Sequence, residues 1–212
     1  MPHRGHANRP KLFPTVKTGV TQCLCYLLAL LVAVLLIVNG SHAEEKKPEL
    51  ESWQLKGIVA ALDDPDPEVW AEALNKLSEY ELKQLKHPVE IPKDRIDQIA
   101  DLLTYKHESK DETENQRKSV QSKVYASAAS ALGEMGAVAY KYAPKIAELL
   151  TDEDSDVDNS NVSASAVLAL GNMGATASEY VPKIAKLLIN SDGNVSYSAA
   201  KALGQMGVAK DK

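Results

Sequence analysis

Cysteine is nearly absent. The 212 residues hold two, Cys23 and Cys25, both inside one apolar run, so residues 44–212 have none. That excludes a disulfide framework or a thiolate-held metal from the bulk of the chain. Neither cysteine follows the run with a small residue before it, as a lipoprotein acylation site requires, so lipidation is not expected. Acids are missing from residues 1–43, which carry Arg4, Arg9, Lys11 and Lys17. The remainder holds all 29 Asp and Glu against 20 of the 24 Lys and Arg, an excess of nine negative charges. Such a balance favours solubility and argues against nucleic acid, whose binding needs cations to neutralise phosphates. Also missing are a glycine-rich phosphate loop after a strand, a grouped nucleophile and base, and a cluster of metal ligands.

What the first part does contain is a membrane-inserting segment. Residues 20–38 are apolar apart from Thr21 and Gln22, and Ser41-His42-Ala43 precedes Glu44-Glu45. A basic start, an apolar stretch and small residues before a cut after Ala43 match a secretory signal peptide. The length is also close to the roughly 20 residues that span a bilayer, so an uncleaved anchor is the alternative. Either way the basic flank stays in the cytoplasm and the acidic body crosses. The expected location is therefore periplasmic or secreted, or membrane-anchored through residues 20–38 with the rest outside.

Internal repetition carries the fold. YAPKIAELL at 142–150 returns as YVPKIAKLL at 180–188, and ALGEMG at 131–136 returns as ALGNMG at 169–174 and ALGQMG at 202–207. Fainter copies stand upstream at 99–103, 69–77 and 58–62. Val195, Ala199, Ala202, Leu203 and Met206 recur at three- and four-residue steps, one apolar stripe of a helix. Pro144 and Pro182 fit the start of a helix, and Gly136, Gly174 and Gly207 fit its left-handed end. Polar turns at 63–67, 152–156 and 190–194 offer side-chain oxygens to the free N–H groups of the next helix. Two short helices bury too little surface alone, so neighbouring hairpins must stack around one core. The expected fold is all-α, a right-handed α-solenoid over residues 53–207, with a polar linker at 44–52 and a tail at 208–212. The stretch 105–118 has no aliphatic residue and is expected to be a solvated, mobile insertion loop.

The run Asp-Pro-Asp-Pro-Glu-Val69 and the Val, Ala, Ala-Leu-Gly spacing resemble HEAT repeats, in particular the HEAT-like repeats of phycobilin lyase subunits. Many such repeats carry Arg directly after the valine; here Trp70, Tyr125, Ser163 and Ser196 stand there. Two enzyme precedents come with the resemblance. HEAT-like deoxyhypusine hydroxylases hold two irons through His-Glu pairs on successive helices, whereas His107-Glu108 is alone and His87 precedes Pro88. Bilin attachment is cytoplasmic, at odds with an export segment. No cofactor or metal is therefore expected; the acidic runs at 63–68 and 152–158 lack the glycine and closing glutamate of a calcium loop.

In HEAT arrays the second helix of each pair lines the concave face. Its outward columns here run through Trp70 and Tyr125, and through Glu79, Glu134, Asn172 and Gln205. These are the candidate protein-binding residues. The expectation is a non-catalytic scaffold for an unidentified protein partner, touching membrane only through its N-terminal segment. The rivals are an enzyme or enzyme subunit of the phycobilin lyase type and a purely structural protein that self-associates through an uncapped C-terminal end.

Overall fold

The computed structural model describes residues 47–83, 90–150 and 160–207, all within one compact unit, Lys46–Lys212. The export segment, the turn at 152–156 and the tail at 208–212 lie outside the described residues. Among those described there is no strand, and no helix is long and apolar enough to cross a membrane.

The first hairpin is α1 (Ser52–Ala61) and α2 (Pro67–Ser78). The second is α3 (Lys93–Asp101), extended by a 3-10 turn, and α4 (Glu114–Met135). A 3-10 segment, Gly136–Tyr142, leads into α5 (Ala143–Glu148), whose partner is α6 (Ser160–Asn172). The pattern repeats with Gly174–Tyr180, α7 (Val181–Lys186), a 3-10 turn and α8 (Gly193–Gln205). Local chemistry sets these boundaries. Asp66 accepts from the Glu68 N–H at 2.9 Å with Pro67 as the first helical residue, and Asp192 accepts from the N–H groups of Asn194 and Val195. Such caps satisfy donors that no helix can satisfy internally. Gly136, Gly174 and Gly207 have φ of 60°, 65° and 79°, a backbone that side-chain-bearing residues resist.

Helices α2, α4, α6 and α8 pack side by side in chain order, and α1, α3, α5 and α7 form a second layer, each against the inner helix of its own hairpin. The core runs through the whole stack: Leu74, Leu77, Ile99, Leu132, Ile146, Leu170 and Ile184 are fully buried. Burying one such side chain contributes about 1.5–3 kcal/mol. Small residues set the inner spacing. A Cβ added to Gly133 would lie 2.5 Å from Ala169 Cα, and one added to Gly171 would lie 2.6 Å from Ala202 Cα. The backbones of successive inner helices therefore meet without an intervening side chain.

Two sequence expectations are corrected. The loop ends at Thr113, not at 118, because Thr113 and Gln116 form a reciprocal capping box that starts α4 at Glu114. Nor is the described part of the 44–52 linker merely solvated: Leu50 is buried and the Pro48 carbonyl accepts from the Glu81 N–H at 3.2 Å.

Candidate protein-binding ridge

The column after each valine turns out to face the loop at its N-terminal end. Trp70 and Tyr125 are half-buried rather than outward. The Trp70 ring stands edge-on to Tyr105 at 5.2 Å between centroids, and its indole N–H donates to the Asp64 carbonyl. The Tyr125 hydroxyl donates to the Tyr105 carbonyl at 2.7 Å and accepts from Gln121 at 2.9 Å. Burial pushes the Tyr125 phenol up, and the Gln121 hydrogen bond opposes this. In the same column Ser163 is buried, its hydroxyl without a partner among the described residues.

The two aromatics thus hold residues 105–113 in place, and His107 is not the solvated side chain its sequence context suggests. Its side chain is 9% exposed. The ring lies between the Tyr105 hydroxyl, 2.9 Å from Nδ1, and Glu112 Oε2, 3.0 Å from Nε2. With the carboxylate able only to accept, Nε2 is the donor towards Glu112, and the Tyr105 hydroxyl is the partner of Nδ1. Arg117 closes the loop by donating to the carbonyls of Ser109 and Glu112 at 3.0 and 2.6 Å.

The second column behaves differently. Glu134, Asn172 and Gln205 stand at the ends of α4, α6 and α8 and form a hydrogen-bonded row. Asn172 Nδ2 donates to Glu134 Oε1, and Gln205 Nε2 donates to Asn172 Oδ1, each at 2.8 Å. Glu79 does not join it; it pairs with Lys76 at 2.6 Å on the exposed end of α2. Its place is taken by Lys47, whose ammonium sits 2.7 Å from Glu134 Oε2 and donates to the Ser78 carbonyl at 2.6 Å. Sequence reasoning missed Lys47 because it lies outside every repeat. The only available signal was that Glu134, followed in its column by the neutral Asn172 and Gln205, had no cation assigned to it.

The outer layer is stitched by charge. Arg95 grips Asp63 with two bonds at 2.6 and 3.0 Å, Lys141 reaches Asp97 at 2.7 Å and Lys145 reaches Asp101 at 3.0 Å. Hydrogen bonds from Lys141 and from the Tyr142 hydroxyl hold the Asp97 carboxyl below its ordinary range. Burial, then Asp97, pushes the Tyr142 phenol up.

No family model matches the chain, and no curated protein matches it. Similar solved structures include three engineered proteins of the Northeast Structural Genomics Consortium. They are 24%, 22% and 24% identical, with TM-scores of 0.47, 0.45 and 0.44 over 71%, 73% and 72% of this chain. The chain spans 62%, 62% and 37% of their lengths. The helical repeat architecture therefore rests on the chain's own packing: hairpin upon hairpin, joined by equivalent glycine and alanine contacts.

Proposed function

We propose that this chain is a non-catalytic scaffold, a right-handed solenoid of HEAT type, that binds another protein along the exposed side of its inner helices. The observation that supports this is the row from Lys47 through Glu134 and Asn172 to Gln205. Four side chains from separate segments are ordered in advance by one another, and amides hold two donors and two acceptor sites apiece. A partner chain laid across the row meets polar groups already fixed, which lowers the ordering cost of binding. We place the scaffold outside the cytoplasm, released or anchored according to whether residues 1–43 are cut.

Photo-reactive residues at Asn172 and Gln205 in the native host test the surface. Adducts with one protein at both positions, and none from an equivalent probe at the exposed outer residue Glu148, are expected. Strong adducts from Glu148 alone would move the binding surface to the other layer. For the location, N-terminal sequencing should find Glu44 first or an intact chain in membranes. An intact Met1 in the soluble cytoplasm would overturn it.

A further inference from the structure

A cleft of about 640 Å³, the size of a small-molecule site, lies between the end of the first hairpin and the second. Its floor is formed by Leu82, Ile91, Ile96 and Met135, all buried. Val138 also lines it, yet is 69% exposed. In a body where acids outnumber bases, the described lining sets three lysines, Lys83, Lys93 and Lys141, against one acid, Glu90. The lysines are not equivalent. Lys141 is already bound to Asp97 at 2.7 Å, and Glu90 is not a free carboxylate. Lys83 and Lys93 form no ion pair among the described residues. Gly136 places the first of them: a Cβ there would lie 3.2 Å from Lys83 Cγ, so the aliphatic stem runs across bare backbone.

The next repeat does not carry this chemistry. The 3-10 segment Gly136–Tyr142 reads GAVAYKY and its counterpart Gly174–Tyr180 reads GATASEY, so Thr176 and Glu179 stand where Val138 and Lys141 stand here. An exposed aliphatic residue beside a cation thus belongs to this cleft and not to the repeat. We propose that the cleft binds a long-chain carboxylate, its tail on the apolar floor and against Val138, its head held by Lys83 and Lys93. The tail removes apolar surface from water, and the head gains charge-assisted hydrogen bonds. Each simpler ligand meets only half of the lining. A neutral hydrocarbon would desolvate ammonium groups without pairing them, and a small inorganic anion would leave the floor unused. A peptide would press its backbone N–H groups on aliphatic side chains that cannot accept from them. The site is separate from the ridge and does not depend on a protein partner there.

The test uses the full chain in dodecylmaltoside at mildly alkaline pH, where the ligand head is ionised and lysine is still charged. A diazirine-bearing hexadecanoate is the probe, the matching diazirine-bearing alcohol its neutral control, and adducts are located by peptide mass spectrometry. Hexadecanoate should label residues 90–96 or 135–141, and excess unmodified hexadecanoate should suppress the adduct. The alcohol should label about tenfold less, as should hexadecanoate on the Lys83→Gln, Lys93→Gln double variant. Lys93→Arg should keep the adduct. Val138→Glu should abolish it with the melting temperature unchanged, because the position is exposed. Absence of labelling in both segments would overturn the proposal, as would equal labelling by the alcohol or a yield indifferent to Val138→Glu. Suppression by a leucine-rich peptide as strong as that by hexadecanoate would overturn it in favour of a peptide site.

Discussion

Gly171 and Gly204 hold the same place in successive repeats, yet substitution should act on them in opposite directions. Alanine at 171 drives a methyl into Ala202 Cα at 2.6 Å, a backbone atom that cannot step aside, and overpacking of this kind costs about 1–3 kcal/mol. Alanine at 204 meets open space and gains helix propensity, up to about 1 kcal/mol. Urea unfolding of the two variants should give shifts of opposite sign; shifts of the same sign would mean that the seam is not where it is described. Asp97 offers a second test. Its pKa is depressed by Lys141 and Tyr142, so its contribution is complete above the unfolded-state pKa and disappears as pH falls through the lower folded one. The stability gap between the wild type and Asp97→Asn should stay constant from neutrality to the ordinary aspartate range and narrow below it, the gap itself being small for so exposed a group. Neither role was legible from composition. The repeated Ala-Leu-Gly told that glycine 133, 171 or 204 lay on a helix, but not which had a neighbour.

At the level of elements, the loop before α4 is where sequence and structure part most. A stretch of polar residues with no aliphatic side chain reads as solvent-facing, since periodicity is carried by apolar residues alone. Here the order comes instead from polar groups at fixed offsets: the box of Thr113 and Gln116, the ring of His107, and the guanidinium of Arg117. The box was readable as Thr-x-x-Gln; the histidine's partners were not, because Tyr105 and Glu112 meet it only once the chain has turned. His107→Ala should therefore cost about 1–2 kcal/mol by losing hydrogen bonds to two part-buried partners. A chemical-denaturation midpoint indistinguishable from the wild type would return the loop to the solvated state first expected. Apart from the first turn of α4, the inner helices were legible through their apolar stripe and terminal glycines, and the starts of α5 and α7 through their prolines. The 3-10 segments Gly136–Tyr142 and Gly174–Tyr180 were not, being too short for any period to show.

Across the whole molecule, stability is shared among hairpins and the seams between them, so damage should spread unequally. Leu170 is fully buried in α6, and Leu170→Ala should cost roughly 2–5 kcal/mol. Hydrogen exchange should then show protection lost mainly in α5 to α8, with α2 and α4 nearly as before; uniform loss over all four hairpins would mean that the stack unfolds as one body. The direct backbone contacts at Gly133 and Gly171 have a mechanical consequence too. Nothing flexible lies between the inner helices there, so that layer resists compression and acts as the pivot line of the array. The outer helices are tied by long lysine and arginine arms, which lengthen and shorten with rotamer changes. Any bending of the array is therefore expected to spread or close the outer layer about a stiff inner one, leaving the spacing of Glu134, Asn172 and Gln205 unchanged.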